Sequence, residues 1–296
     1  MTNDNSAAFR TTPQETEQTS SVPPSRPRLE CCSLHRYENG RLTLVRDNIG
    51  VEEEMEIRVP GRETIVLSRT PGQDSQLVMG SLFTRGLIRK PEDIAALTFS
   101  EYASRTRVQA AIKPQEPCRL SLVSAAPPSG SDESEEAVVR GAERIFGLRE
   151  AFEARQRIYR VTGAMHGAAL FTRQGEMLAF AEDIGRHNAF DKVIGDALLR
   201  GMLHRAEIAL LSSRLALELT MKAAMAGITI LAGLSVATCS SVELAAARGI
   251  TLIGRLRRRE MNIYTHPWRL TALESEAPNQ ASESTNEHRT VHLRGI

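Results

Sequence analysis

The stretch Glu182-Asp183-Ile184-Gly185-Arg186-His187-Asn188-Ala189-Phe190-Asp191-Lys192-Val193-Ile194-Gly195 decides how this chain is read. From Phe190 onward, Val193, Ile194, Ala197 and Leu198 follow at i+3, i+4, i+7 and i+8, giving one apolar face of a helix that opens near Arg186. Just before it, Met177–Phe180 is a short apolar run that predicts a strand. The polar residues between them form a strand-to-helix loop. Free N–H groups at such a helix start favour anions, and ligands of α/β folds gather outside the carboxyl ends of strands. Glu182, Asp183, Arg186, His187, Asn188, Asp191 and Lys192 are therefore candidate binding residues, with an ordinary solvated helix cap as the alternative.

Outward from this stretch, strands and helices alternate. Gly167–Phe171 and Met177–Phe180 predict a hairpin turning at Arg173-Gln174-Gly175. Ile208–Leu211, Ile228–Leu231, Ile250–Gly254 and Asn262–Tyr264 predict further strands. A helix carrying Glu218 and Lys222 ends at Gly227, and Ser240-Ser241-Val242-Glu243 fits a capping box for a helix ending near Gly249. Such alternation implies a largely parallel sheet covered on both faces. Ala223 through Val242 lacks formal charge over transmembrane length, but Gly227, Gly233 and several hydroxyl residues break it. A helix end, a buried strand and a new helix start account for it, and no membrane span is expected.

Upstream, a hydrophilic break over 124–134 separates a helical run at 135–160 from a β-rich block. In that block Arg41–Arg46, Met55–Val59, Thr64–Ser68, Arg107–Ile112 and Arg119–Val123 predict strands. Asp74 is placed as the N-cap of a helix over 75–85, and Pro91 as the start of a short helix carrying Ile94 and Leu97. The organisation expected is a disordered tail (1–30), a small β-rich α+β domain (31–123), an interdomain loop (124–134), an α/β domain (135–273) and a second disordered tail (274–296).

Composition narrows the function. Of 296 residues, 37 are Lys or Arg and 36 Asp or Glu, so any electrostatic specificity is local and no field points to nucleic acid or membrane. Aromatic residues make up 4%, which counts against a stacking platform for single strands. Four cysteines (Cys31, Cys32, Cys118 and Cys239) and a polar N-terminus fit a reducing cytoplasm. There is no Cys-x-x-Cys, His-x-Glu, P-loop or Gly-x-Ser-x-Gly, so no metal site is expected. The turn Thr162–Gly167 offers close backbone approach with His166 as a polar handle. Arg255-Leu256-Arg257-Arg258-Arg259-Glu260 concentrates four guanidiniums suited to paired contacts with phosphate, against a solvated basic loop as the bland reading.

Taken together, these segments resemble the formate dehydrogenase accessory family, FdhD. The resemblance rests on Asp47–Ile57 (DNIGVEEEMEI), Arg69–Ile88 (RTPGQDSQLVMGSLFTRGLI), Thr162–Phe171 (TGAMHGAALF), Glu182–Gly195 (EDIGRHNAFDKVIG) and Gly249–Tyr264 (GITLIGRLRRREMNIY). It implies a three-layer α/β/α cytidine-deaminase-like domain without zinc behind a small N-terminal domain. It further implies sulfur transfer from a cysteine desulfurase to the molybdenum or tungsten bis(molybdopterin guanine dinucleotide) cofactor of formate dehydrogenase, with that cofactor bound by the protein. Arg255–Glu260 matches the family's cofactor-binding segment, which makes a guanine-nucleotide-type ligand the expected occupant. A homodimer is compatible with the resemblance.

One departure concerns the sulfur itself. The family carries a Ser-Cys-Gly-x-Cys-Gly loop whose first cysteine holds the persulfide, whereas the matching stretch here is Ser124-Ala125-Ala126-Pro127-Pro128-Ser129-Gly130. A hydroxyl cannot carry a persulfide. Either a relocated thiol does so, with Cys118 nearest in sequence as the candidate catalytic residue, or the protein binds the cofactor as a chaperone without persulfide chemistry. A third reading, a descendant that binds another nucleotide or a protein partner, is kept open.

Overall fold

The computed structural model describes residues 19–23, 25–102, 105–114 and 135–273. Cys118, the strand expected at Arg119–Val123 and the loop 124–134 lie outside the described residues. The N-terminal part begins inside the expected tail. Strand β1 (Thr19–Ser20) pairs with Phe99 and Ser100 of a later strand. Next comes a ribbon of two ten-residue strands, β2 (Leu29–Glu38) and β3 (Arg41–Gly50), the second extending past the expected Arg41–Arg46 run to Gly50.

β4 (Glu53–Arg58), β5 (Ile65–Arg69), helix α1 (Asp74–Thr84), β6 (Ile94–Tyr102) and β7 (Arg105–Ile112) follow, giving a five-stranded sheet in the order β1-β6-β7-β4-β5. Two expectations are corrected here. Asp74 is not the cap of α1, because Gln73 holds that position in the left-handed region while the Asp74 carboxylate turns to Arg69. Ile94 and Leu97 belong to a strand, since the helical turn begun by Pro91 stops at Asp93 and the chain then pairs with β7 over Ala96–Tyr102.

The expected helical run divides at buried Gln156 into α2 (Glu135–Arg155) and α3 (Arg157–Thr162). Then come β8 (His166–Phe171), β9 (Met177–Asp183), α4 (Arg186–Leu199), β10 (Ile208–Leu211), α5 (Leu217–Met225), β11 (Ile230–Gly233), α6 (Cys239–Arg248), β12 (Thr251–Gly254) and β13 (Asn262–Ile263). The six-stranded sheet runs β13-β12-β11-β10-β8-β9. It is mixed rather than largely parallel, since β8 is antiparallel to both neighbours and β13 is antiparallel to β12. β9, β10, β11 and β12 nonetheless all point the same way.

α6 starts one residue before the proposed capping box. Thr238 accepts from the Ser241 amide, and the buried Ser241 hydroxyl pairs with Thr220 at 2.6 Å. No helix among the described residues is long and apolar enough to cross a membrane.

The strand alternation sends side chains to two cores. Ala168, Leu170, Ala209, Leu211, Leu231 and Leu252 share one core with residues of α1, α4, α5 and α6, while Ala169, Phe171, Ile208, Leu210, Ile230 and Ile253 share the other with α2 and the 267–273 turn. The first core continues without a break into Met55, Ile57, Phe99 and Val108 of the five-stranded sheet. That continuity depends on α1 crossing α4 at Gly80 and Gly195. A methyl at either would collide with backbone of the other helix, at Asp191 and Gln76 respectively. The crossing lays the chain just before α1 against the loop between β9 and α4.

Candidate functional site

Four strands deliver their carboxyl ends to one edge of the six-stranded sheet. β9, β10 and β11 there feed α4, α5 and α6, while β12 feeds the Arg255–Glu260 loop. β8 starts at the same edge, with His166 opposite Asp183 in register. No side chain caps α4 at Gly185 or α5 at Ala216, so first-turn N–H groups of both helices face this edge.

Glu182 and Asp183 are the last two residues of β9 rather than loop residues. Glu182 accepts hydrogen bonds from the Ile158 and Tyr159 amides at 3.0 and 2.8 Å, which satisfies the first turn of α3. Asp183 is wholly buried. Its Oδ1 accepts from the Gly185 amide (2.8 Å) and Asn188 Nδ2 (3.1 Å), and its Oδ2 from the Thr70 amide (3.2 Å), with Lys192 Nζ 2.6 Å away. Lys192 also donates to the Thr70 carbonyl at 2.8 Å, and Asn188 to the Ser68 carbonyl at 2.7 Å. Burial pushes the Lys192 ammonium below its usual range, opposed by Asp183. These four polar side chains are turned inward and build the loop's scaffold.

A second ladder joins α4 to α5. His187 and Asp191, four apart, face Glu218 and Lys222, also four apart. Asp191 accepts from Lys222 at 2.7 and 2.8 Å and from Thr84 at 2.9 Å, and burial raises its carboxyl despite Lys222. His187 Nε2 lies 3.0 Å from Glu218 Oε2 without the alignment of a hydrogen bond. Burial, with Arg186 beside it, holds the His187 imidazole below its ordinary range.

The groups left facing the edge are His166, Arg186 and His187, all half-buried. His166 Nδ1 is 3.5 Å from the Ser212 hydroxyl, which accepts from the Gly167 amide at 2.9 Å. Burial and Arg186 hold His166 below the usual imidazole range, opposed by Asp183, so it is neutral near pH 7. Arg186 Nε is buried with no hydrogen-bond partner among the described residues, a donor whose natural complement is an anionic oxygen.

The basic loop divides by side chain. Leu256 is buried in the core and its amide bonds to the Gly233 carbonyl. Arg255 pairs with Glu260 at 3.1 Å, both exposed, and the Arg257 amide closes the turn on the Glu260 carbonyl. Arg257, Arg258 and Arg259 extend into solvent. Three strand spacings, about 14 Å, separate this loop from His166 along the edge.

Among the described cysteines, Cys31 and Cys239 are exposed and Cys32 is partly buried. Cys239 is the first residue of α6. Its thiol donates to Glu243 at 3.2 Å, and that carboxylate raises its pKa, which disfavours the thiolate. Among the described residues no three His, Cys, Asp or Glu side chains cluster so as to hold a metal.

Sequence reasoning did not place Arg28, Arg69, Thr70 or Ser212 at the site, and gave Asp74 only a capping role. Arg28 donates to the Glu182 carbonyl at 2.7 Å. Fully buried Arg69 binds Glu53, Asp74 and Thr106. Apart from Arg69–Asp74, five residues apart, these are contacts across 16 to 154 residues, with no local signature beyond the turn-forming Thr70-Pro71-Gly72.

Comparison with known proteins gives a consistent picture. The model of the FdhD/NarQ family matches residues 50–271. A sulfur carrier protein FdhD from Mycobacterium tuberculosis is 36% identical over 256 residues, spanning 76% of this chain and 92% of its own. One from Sulfolobus acidocaldarius is 32% identical over 249 residues, spanning 80% and 96%. A crystal structure from Desulfotalea psychrophila, assigned as a formate dehydrogenase accessory protein, superposes with a TM-score of 0.64 at 23% identity. It covers 82% of this chain and 99% of its own, and at that identity it speaks to fold alone.

Proposed function

This chain belongs to the FdhD/NarQ family, and on that premise we propose that it is a formate dehydrogenase accessory protein that grips a guanine-dinucleotide cofactor along the carboxyl edge of its six-stranded sheet. The ligand would be a bis(molybdopterin guanine dinucleotide) carrying molybdenum or tungsten, held as cargo for formate dehydrogenase. We place the layered domain in the cytidine-deaminase-like class.

The observation that carries this reading is the pairing of two anion-seeking features on one edge. Arg186, with its unpartnered Nε at the uncapped start of α4, lies near one end, and Arg257, Arg258 and Arg259 lie near the other. A ligand with two diphosphate arms has anionic groups to meet both. Each desolvated guanidinium–phosphate hydrogen bond is worth about 1.5–3 kcal/mol.

Two versions of the sulfur chemistry differ in a thiol. In the carrier version, a cysteine desulfurase persulfide gives its terminal sulfur to a thiolate of this chain, and the donor leaves as its own thiolate. Cys118 is the nominated acceptor. In the chaperone version the protein holds cofactor without accepting sulfur. The Ala125–Gly130 stretch, which offers no thiol, and Glu243 beside Cys239 favour the chaperone version.

Mass spectrometry after incubation with a cysteine desulfurase and cysteine separates them. The chaperone version predicts no sulfur adduct on any cysteine. An adduct that disappears in Cys118→Ala establishes the carrier version. Restoration of formate oxidation by this chain, in a host lacking its own accessory protein, tests the shared premise.

A further inference from the structure

The polar atoms of Thr70 are all spent on one neighbouring unit. Thr70 follows the last residue of β5, in the five-stranded sheet, and is fully buried. Its amide donates to Asp183 Oδ2 at 3.2 Å, and its carbonyl accepts from Lys192 Nζ at 2.8 Å. Its hydroxyl accepts from the Ile184 amide at 3.1 Å and donates to Met165 Sδ at 3.3 Å. Every one of these partners lies 95 or more residues away, in the six-stranded unit.

The hydroxyl stands between two segments. On one side is the turn that presents His166, and on the other the Asp183–Gly185 link that starts α4 and presents Arg186. Met165 itself is buried and packs against Gly50. The β8–β9 ladder already pairs the backbones of His166 and Asp183, and the hydroxyl adds a side-chain link between Met165 and the Ile184 amide just beyond that ladder's end. Resting on the proposed cofactor reading, we infer that Thr70 is a positioning residue: its hydroxyl bridges Met165 and Ile184 beyond the end of the β8–β9 ladder, setting how His166 and Arg186 are presented to an anionic ligand. The candidate site is thereby composite, with its geometry set by a side chain from the five-stranded unit.

The bridge predicts more than stability. Thr70→Val keeps shape and both backbone hydrogen bonds but removes the hydroxyl. Thr70→Ser restores it. Met165→Leu removes only the sulfur acceptor. The charged and titratable groups around His166 are Arg186 and Asp183, with the Ser212 hydroxyl beside it, so its imidazole reports on the spacing of the two segments.

The test is a pH titration of the histidine ring resonances of the full-length protein, with His166 assigned through His166→Gln. Guanosine diphosphate binding by calorimetry is measured alongside. In Thr70→Val the His166 transition moves up toward its ordinary value, and guanosine diphosphate binds about fivefold more weakly, the equivalent of one lost hydrogen bond. Thr70→Ser returns both toward wild type, and Met165→Leu moves the titration in the same direction as valine. If Thr70→Val fails to fold, Met165→Leu carries the test.

An unmoved His166 transition in the folded variants overturns the positioning role, even where wild type binds the nucleotide. Shifted titrations in a protein that binds no guanosine diphosphate support the bridge and instead remove the ligand reading.

Discussion

Lys192 Nζ lies 2.6 Å from Asp183 Oδ2, and neither side chain reaches solvent. Sealing both charges away leaves each dependent on the other, and Asp183 is also the acceptor for the Gly185 and Thr70 amides that shape the candidate site.

Lys192→Met strands the carboxylate. The expected loss is about 3–5 kcal/mol in urea denaturation, the usual cost of breaking a buried pair from one side. Adding Asp183→Asn recovers only part of it: the stranded charge is gone, but the amide NH2 then faces the N–H of Thr70 or those of Gly185 and Asn188. A loss in Lys192→Met of less than about 1 kcal/mol would show that water reaches the pair.

The α1–α4 crossing gives a contrast between glycines. Gly80→Ala pushes a methyl into the Asp191 backbone and is expected to destabilise by about 3 kcal/mol, with a matching fall in Tm. Gly147→Ala, on α2 with nothing within 4 Å of the new methyl, is expected to stabilise by about 0.5–1 kcal/mol. Equal thermal shifts in the two variants would contradict the close crossing.

His166 and His187 give the stability curve a definite sign. Both folded-state imidazoles titrate below the ordinary 6.5. Well above pH 6.5 both folded and unfolded chains are neutral there, and the histidines contribute nothing. As the pH falls below 6.5 the unfolded chain takes up protons first, so folding stability drops until the pH passes below the folded values. His166→Gln/His187→Gln is expected to flatten that fall in denaturation measured from pH 7 to pH 5. An unchanged slope would remove the histidines as its cause.

The basic loop is tested by charge. Arg257→Ala/Arg258→Ala is expected to weaken guanosine diphosphate binding tenfold or more and to reduce its salt dependence, for the loss of one or two charge-assisted contacts. Unchanged affinity in calorimetry would take the loop out of the site.

Much of the fold was readable because it is local. The periodicity from Phe190 to Leu198 marks α4, and all five apolar residues on it are buried. The short runs at 208–211 and 251–254 are strands, since apolar residues between turn signals have few other outcomes. Where long-range pairing decides, local pattern failed. Ile94 and Leu97 carry helical spacing yet join β7, and β8 enters antiparallel beside β10, a choice that no alternation of strands and helices reveals.

The site shows the same division. Arg186 and the arginines after β12 stand out as candidates because their residue types cluster in sequence, and His166 because it sits in the small-residue turn Thr162–Gly167. Thr70 and Arg69 do not: every partner of Thr70 lies 95 or more residues away, and of the three partners of Arg69 only Asp74 is near it in sequence. Asp183, Asn188, Asp191 and Lys192 were found, but their inward orientation needed the fold.

The central claim is that the carboxyl edge of the six-stranded sheet holds a diphosphate. Crystals of the full chain grown with guanosine diphosphate test it most directly. The account predicts phosphate oxygens within hydrogen-bond distance of Arg186 Nε and the first amides of α4, or of Arg257 and its neighbours. Well-ordered nucleotide bound elsewhere, or an empty edge at saturating concentration, would contradict it.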